Sequence, residues 1–135
     1  MYKRQLDLPR ERFAKALAEK LAAATFVAEQ AGALLGFATV QIPSSEAIPG
    51  AGELDMLYTD PAAWGSGAGR ALNAAVIGHL RAHDCSCGVL WTAELNRRPR
   101  RFYEAAGWRA DGTRRTRTWQ GAQFDELRYQ FDLTS

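Results

Sequence analysis

A glycine-rich turn between a predicted strand and a predicted helix constrains this chain most strongly. The segment DPAAWGSGAGRAL (60–72) has three glycines within residues 65–69, and the strand-like run ELDMLYT (53–59) precedes it. Apolar residues at helical spacing follow over 70–83, and the short apolar run GVLWTA (88–93) comes next. Because strands joined through a helix lie parallel, these elements predict a parallel strand pair. Three glycines in one turn indicate that another group approaches the backbone closely.

Shorter patterns before this unit predict further elements. Asp7 can cap a helix that begins near Leu8 and carries an apolar stripe as far as Leu21. Two β-rich runs flank Gln-Ala-Gly at 30–32 and predict a hairpin. The residues 42–52 are rich in proline, glycine and serine and predict a loop.

The remaining patterns complete the predicted fold. Alternation along 53–59 predicts one face with Leu54, Met56 and Tyr58 and an opposite face with Glu53, Asp55, Leu57 and Thr59. Asn96 begins and Gly107 ends a predicted helix. Strands near 107–118 and 124–133 flank a turn. The order predicts an α/β (α+β) fold with a mixed, largely antiparallel central sheet flanked by helices.

Length and composition limit the classes of protein. A chain of 135 residues, 47% hydrophobic and 24% charged, is typical of one soluble globular domain. The net charge of +2 is too small to indicate nucleic acid or a membrane as the main partner. No apolar run has the length of a membrane span. Cys85 and Cys87 lack the partners of a zinc site, and we expect reduced thiols in a cytoplasmic protein.

The first five residues, MYKRQ, differ in character from the rest. They are also what a transposon-end adapter from sequencing libraries encodes. We therefore expect residues 1–5 to be a non-native N-terminal extension, and the alternative is a natural basic N-terminus. The remainder, 6–135, is predicted to be a single domain.

Three interpretations compete for the glycine turn. A Walker-type phosphate loop needs Lys followed by Ser or Thr after its last glycine, and Arg70 stands there instead. A dinucleotide fingerprint needs different glycine spacing and no proline between strand and turn, whereas Pro61 lies between them. Free backbone N–H groups at a helix N-terminus form an anion site, which fits best. A tight turn without a ligand is the alternative on spacing alone.

Two blocks of sequence resemble the GNAT superfamily of N-acetyltransferases. The segment LYTDPAAWGSGAGRAL (57–72) resembles its acetyl-CoA-binding motif, in which Gly67 and Gly69 match the motif's glycines. Trp64 stands where the motif usually has Gln or Arg. A second block, LWTAELNRRPRRFYEAAGW (90–108), resembles the strand and helix that follow in the family.

The resemblance extends over most of the chain. With FVAEQAGALLGFA (26–38) it covers residues from about 8 to 133. In this family a first strand and first helix usually precede the region that starts near Leu8. The resemblance therefore implies an N-terminally truncated GNAT domain.

The resemblance also implies a cofactor site. The strand before the glycine turn would separate from the strand after the helix, and the pantetheine arm of acetyl-CoA would pair with the exposed backbone. The expected strand contacts are Leu57, Tyr58 and Thr59. The pyrophosphate would lie on the turn, which comprises Trp64, Gly65, Ser66, Gly67, Ala68, Gly69 and Arg70. Asn96 would contact the pantetheine or a water, and its alternative role is to cap the helix.

Acetyl transfer from a thioester to an amine needs a neutral amine and a protonated leaving sulfur. By resemblance, Tyr103 would protonate the CoA sulfur, and a buried aromatic beside Phe102 is the alternative. Glu53 would accept the amine proton, directly or through water, and a solvated carboxylate is its alternative. Asp55, expected on the same face, is the second candidate base.

Other features have plainer interpretations. His79 and His83 are four apart on a helix, but no third ligand is evident, so we expect no metal. The cluster Arg97, Arg98, Arg100 and Arg101 is typical of a solvated helix face, and one member could meet the 3′-phosphate of CoA. By its resemblance to the GNAT superfamily, the chain is predicted to be an acetyl-CoA-dependent N-acetyltransferase that transfers the acetyl group to a primary amine by direct attack. The identity of the amine is open. A non-catalytic or truncated acyl-CoA-binding GNAT-like domain is the main alternative, and a nucleic-acid-binding module is supported only by the arginine clusters. The resemblance also allows a homodimer.

Overall fold

The computed structural model describes residues 2–5 and 23–134, and a seven-stranded sheet organises them. Its strands are β1 (Tyr2–Gln5), β2 (Ala24–Gln30), β3 (Ala33–Gln41), β4 (Ala51–Thr59), β5 (Cys87–Ala93), β6 (Arg109–Trp119) and β7 (Ala122–Asp132). Across the sheet the strand order is β1-β2-β3-β4-β5-β7-β6. Helix α1 (Ala68–Ala82) joins β4 to β5, and helix α2 (Arg97–Ala105) follows β5. The helix predicted at 8–21 lies outside the described residues.

The predicted mixed sheet is confirmed. β4 and β5 are parallel, and every other neighbouring pair is antiparallel. Residues 2–5, which the sequence suggests are an extension, form the strand β1 at one edge of the sheet and pair with β2. The strand β6 forms the other edge.

Two tight hairpins set the register of the antiparallel strands. Ala31 and Gly32 have φ of 52° and 78° between β2 and β3, as predicted for that turn. Gln120 and Gly121 have φ of 51° and 80° between β6 and β7. Positive φ at both central residues is the geometry of a two-residue hairpin whose twist matches that of its strands.

The strand β4 differs from its prediction in two ways. It begins at Ala51 rather than at residue 53, because Ala51 and Gly52 pair with β5 and shorten the predicted loop. Strict alternation is wrong, since Asp55 is an extra residue in the ladder with β3: Met56 pairs with Thr39, while Leu54 pairs with the next residue along β3. This bulge brings both Leu54 and Leu57 to the hydrophobic core.

The two candidate bases differ in burial. Glu53 is buried, whereas Asp55 is exposed. The expectation that both carboxylates share one face stays a prediction. Asp55 stands outside the regular alternation because a bulged residue has no opposite partner in the ladder.

Both helices pack on one face of the sheet. The apolar side of α1, with Leu72, Val76 and Leu80, joins Leu90 of β5 in a single buried cluster. Trp108, which follows α2, is 1% exposed in the same cluster. Its Nε1 donates a hydrogen bond of 2.9 Å to the buried Asn73 Oδ1 of α1. This polar link inside an apolar core fixes the segment after α2 against α1.

We expect Trp108→Phe to lower the free energy of unfolding by about 2 to 3 kcal/mol, because it leaves Asn73 unpaired in the core and removes packed volume. Urea denaturation measures the change. Trp119→Phe is the matched control, since Trp119 is 69% exposed and its replacement should change stability by less than about 0.5 kcal/mol. Equal losses in the two variants would contradict a special role for the buried hydrogen bond.

Candidate active site

The strands β4 and β5 part after a short parallel ladder. Their pairing runs from Ala51 with Cys87 to Glu53 with Val89 and then ends. Beyond that point β4 stays with β3 as far as Thr59, and β5 stays with β7. Among the described strands, none pairs with the β5-facing edge of β4 beyond Glu53. Its free backbone groups can therefore pair with an extended ligand.

The glycine turn lies at the open end of this gap. Gly65 and Gly67 have φ of 84° and 91°, and a Cβ at either would meet no described atom within 4 Å. Their backbone conformation, rather than crowding, therefore requires glycine. Gly69 is different, because a Cβ there would lie 3.1 Å from the ring of Phe102. Gly69 thus allows α2 to approach α1 closely.

The N-terminus of α1 presents backbone donors to the gap. The first helical hydrogen bond runs from Ala71 N to Gly67 O, so the amides of Gly69 and Arg70 come before the helical ladder begins. Ser66 Oγ accepts a hydrogen bond of 3.3 Å from Ala68 N. The turn therefore uses the Ser66 hydroxyl internally and leaves later amides for an anion.

A groove of about 730 Å³ runs between the end of β4, the glycine turn and α2. Ten of the residues proposed from sequence line it, namely Leu57, Tyr58, Thr59, Trp64, Gly65, Gly67, Ala68, Gly69, Arg70 and Tyr103. Three of its described lining residues are arginines, Arg70, Arg98 and Arg101, and none of the described lining residues is acidic. The groove is suited to an elongated, strongly anionic ligand.

Tyr103 reaches the groove from the core. It is 8% exposed and packs edge-on against Phe102 and Trp108. Burial raises the pKa of its hydroxyl to about 12. The phenol therefore keeps its proton at neutral pH and can donate a hydrogen bond to a group in the groove.

Glu53 lies at the point where β4 and β5 part, outside the lining of the groove. A Cβ on the preceding Gly52 would run into Leu80 of α1, so the Glu53 side chain is directed to the opposite face of the sheet. Its Oε1 accepts hydrogen bonds from Ser44 Oγ at 2.7 Å, Ser45 Oγ at 3.1 Å and Ser45 N at 3.2 Å. The carboxylate is therefore held in one orientation by the loop before β4.

That loop is itself tied to the sheet. Glu46 Oε1 accepts a hydrogen bond of 3.1 Å from Arg128 Nη1, and Arg128 Nε donates to Asp111 Oδ2 at 2.6 Å. The side chains of Glu46 and Asp111 are 18% and 16% exposed, which lowers screening of the two ion pairs by solvent. The loop that orients Glu53 is thus fixed to β7.

Two predicted site residues take other positions. Ser66 and Asn96 are both exposed and do not line the groove. Asn96 is the N-cap residue of α2, but its side chain makes no capping hydrogen bond. Its alternative role as a side-chain cap is therefore wrong, because its backbone carbonyl alone accepts from the helix, through Arg100 N.

Hydrogen bonds to β7 hold α2 beside the groove. Arg100 Nε donates to Tyr129 Oη at 3.1 Å, and Tyr129 Oη donates to Glu104 Oε2 at 2.7 Å. Arg100 Nη1 also donates to the carbonyl of Glu94 at 2.8 Å. Arg100 is therefore a structural anchor rather than a solvated member of its cluster.

One face of α2 lines the groove, with Arg98, Arg101, Phe102 and Ala105 at helical spacing. Arg98 and Arg101 belong to the cluster from which one phosphate contact was expected, whereas Phe102 and Ala105 were missed as groove residues. This spacing was the available signal, since residues three or four apart share a helix face. The contact between Arg98 and Trp64, which are 3.7 Å apart from guanidinium carbon to ring centroid, had no sequence signal.

The histidines form no metal site with their described neighbours. The rings of His79 and His83 are 4.2 Å apart, and His83 Nδ1 is 2.9 Å from the carbonyl of His79. Within residues 2–5 and 23–134, no group of three or more His, Cys, Asp or Glu side chains could hold a metal ion. Neither described helix has the length and apolar character needed to cross a membrane.

Comparison with known proteins identifies the family. The sequence profile of the Acetyltransferase (GNAT) family matches residues 2–108, most of the chain. The chain therefore belongs to the GNAT acetyltransferase family, as the resemblance of its two motifs suggested.

Curated relatives and solved structures agree with this assignment. Mycothiol acetyltransferases from Thermobispora bispora and Frankia casuarinae are 36% and 38% identical over 85 and 90 residues, each match covering 62% of this chain. The matches cover only 29% and 26% of those relatives. The fold matches IAA acetyltransferase from Bacillus cereus over 98% of this chain and 99% of that one, with a TM-score of 0.74 at 16% identity. It also matches yncA of Salmonella typhimurium, solved with acetyl-CoA, over 91% of this chain and 70% of that one, with a TM-score of 0.72 at 21% identity.

Burial of Tyr103 predicts a loss of stability at alkaline pH. Its pKa is raised from about 10 to about 12 in the folded state, so its contribution is complete below pH 10 and is lost as pH rises through 12. The two units correspond to roughly 3 kcal/mol. Urea denaturation between pH 9 and 12 should show a weaker pH dependence in Tyr103→Phe than in the unmodified chain. Tyr58→Phe, which removes a half-exposed phenol, is the control, and an equal change there would contradict the assignment.

Proposed function

We propose that this domain is an acetyl-CoA-dependent N-acetyltransferase in which an amine attacks the thioester directly. The observation that carries the proposal is the gap between β4 and β5, which opens beside a helix N-terminus and an arginine-lined groove. One end of the groove offers strand-like backbone pairing, and the other offers amides and positive charge. Acetyl-CoA combines the corresponding groups, an amide-containing arm and several phosphates.

The cofactor's parts fit successive parts of the groove. The pantetheine arm would pair with the free edge of β4 at Leu57, Tyr58 and Thr59, adding one more strand to the sheet. The pyrophosphate would bind the amides of residues 65–70 at the N-terminus of α1. Neither Asn96 nor Ser66 lines the groove, so they are proposed as contacts only for a part of the cofactor that extends beyond it.

Besides the exchange of bonds at the acetyl carbon, the reaction needs two proton transfers. The amine nitrogen forms a bond to the acetyl carbon, and the carbon–sulfur bond breaks. One proton leaves the nitrogen, and one proton reaches the departing sulfur to give free CoA. The protein's contribution is to place a proton acceptor near the amine and a donor near the sulfur.

Tyr103 is proposed as the donor at the sulfur. With a pKa of about 12, its phenol is a weaker acid than a thiol of pKa about 8.5, so complete transfer would be uphill by about 5 kcal/mol. Tyr103 therefore acts by donating a hydrogen bond to the developing thiolate. The proton released by the amine then completes the neutral thiol.

Glu53 is proposed to accept the amine proton, through a water where the distance requires one. It stands at the vertex of the gap, and the two serines leave its Oε2 as the oxygen not used by the loop. An oriented carboxylate at the place where the strands part can meet an acceptor that approaches from the face opposite the helices. Asp55, the bulged residue two positions further along β4, is the second candidate for the proton acceptor.

Binding and turnover can be separated by experiment. We expect acetyl-CoA to bind the chain in calorimetry, and a panel of primary amines to cause release of free thiol. The amine substrate of mycothiol acetyltransferase belongs in the panel because the curated relatives carry that name. Tyr103→Phe should lower kcat by about 10- to 100-fold with acetyl-CoA affinity changed less than twofold.

Each alternative gives a distinct result. Binding of acetyl-CoA without thiol release from any amine would indicate a non-catalytic acyl-CoA-binding domain. Unchanged kcat in Tyr103→Phe would remove its role at the sulfur. Phe102→Leu, which changes a neighbouring aromatic without a hydroxyl, controls for packing at this position of α2.

The role of Glu53 predicts a changed pH–rate profile. Glu53→Gln keeps the shape of the side chain but cannot accept the amine proton, so kcat/KM should fall most near neutral pH and recover as pH rises and the free amine accumulates. The measurement is thiol release from pH 6 to 10. Glu46→Gln is the control, because Glu46 holds the same loop without proton transfer. If the pH–rate profile of Glu53→Gln parallels that of the unmodified chain, the amine proton is accepted by Asp55 or by water instead.

A further inference from the structure

A cation–π contact joins the glycine turn to α2 across the mouth of the groove. The Arg98 guanidinium lies over the ring of Trp64, with 3.7 Å from its central carbon to the ring centroid. Both residues line the groove, and Trp64 is 48% exposed. The two side chains come from different elements, so their contact depends on the packing of α2 against α1.

Stacking leaves the guanidinium able to bind an anion. An arginine on an aromatic ring uses its flat face, whereas its N–H groups point outward in the plane of the guanidinium. No ion pair to Arg98 occurs among the described residues, while Arg114, Arg115 and Arg128 each pair with a carboxylate. Arg98 therefore has its charge and donors unused by the described part of the chain.

The surroundings indicate what kind of anion would bind. Arg70 and Arg101 line the same groove, and its lining contains no acidic residue among those the structure describes, so these residues make the local potential positive. The first turn of α1 begins at Ala68 and lines the same groove as Trp64. Arginine with its planar donors suits phosphate oxygens, which can accept two N–H groups at once.

We propose that Trp64 holds Arg98 in place to bind a phosphate of the nucleotide end of acetyl-CoA. This inference rests on the proposed function. Trp64 is then a positioning residue: it supplies no polar group, but it orders the arginine that does. The chain thus replaces the usual Gln or Arg of the motif by a tryptophan and an arginine that meet only in the folded protein.

The test compares three donors and four variants by calorimetry on the full chain. Acetyl-CoA carries the pyrophosphate and the 3′-phosphate, acetyl-dephospho-CoA lacks the 3′-phosphate, and S-acetylpantetheine carries none. The variants are Trp64→Ala, Trp64→Phe, Arg98→Ala and the double Trp64→Ala/Arg98→Ala. Arg97→Ala is the matched control, because Arg97 is an exposed neighbour on α2 that does not line the groove.

We expect Arg98→Ala to weaken acetyl-CoA binding about tenfold, as the loss of a charged hydrogen bond would. Trp64→Ala should weaken it about threefold to fivefold, Trp64→Phe should restore most of the affinity, and the double variant should bind no more weakly than Arg98→Ala. S-Acetylpantetheine should bind every variant equally, and Arg97→Ala should change affinity less than twofold. An Arg98 effect retained with acetyl-dephospho-CoA assigns the contact to the pyrophosphate, and an effect lost there assigns it to the 3′-phosphate.

Several results would overturn the inference. If the fold losses of acetyl-CoA affinity in Trp64→Ala and Arg98→Ala multiply in the double variant, Trp64 and Arg98 act independently. Tighter binding by Trp64→Ala would mean that the contact obstructs the groove. If the unmodified chain binds acetyl-CoA and Arg98→Ala binds it equally well, this inference fails while the proposed function stands. If the unmodified chain binds neither acetyl-CoA nor S-acetylpantetheine, the proposed function itself fails.

Discussion

The parting of β4 and β5 is the constraint on which the rest of the site depends. The parallel ladder ends at Glu53, and the bulge at Asp55 follows at once. A bulge bends its strand and increases its local twist, so β4 turns with β3 while β5 stays paired with β7. One local irregularity thereby leaves a strand edge without a partner in the middle of a sheet. Edges of this kind normally lie at the outside of a sheet, where they are covered or charged.

The helices use the space that this gap creates. α1 begins at the open end of the gap, so its unpaired amides and the free edge of β4 belong to one groove. Gly69 permits Phe102 to come close, and the hydrogen bond from Trp108 to Asn73 locks the chain after α2 to α1. The width of the groove is therefore set by core packing some distance from any ligand. Because packed cores resist small displacements, the groove is largely preformed.

The two candidate chemical groups lie on opposite faces of the sheet, and both are buried. Tyr103 is buried among aromatic rings on the face with the helices, where a phenol keeps its proton. Glu53 is on the opposite face, held by serines from the loop before β4. Under the proposed function, an amine that approaches from that face would meet a carboxylate, and the thioester would lie between the two groups.

Local sequence patterns determined the described elements of this protein and much of its candidate groove. Glycine-containing turns at 30–32 and 119–123 predict the hairpins, and the glycine turn followed by helical spacing predicts the parallel unit, because these features depend on neighbours in the chain. Three features were decided only by the tertiary structure: the bulge at Asp55, the serine hydrogen bonds to Glu53 and the stacking of Arg98 on Trp64. Each depends on residues far apart in sequence: the bulge on the register with β3, the stacking on how closely α2 packs against α1. Sequence periodicity describes one element at a time, so it carries no record of such contacts.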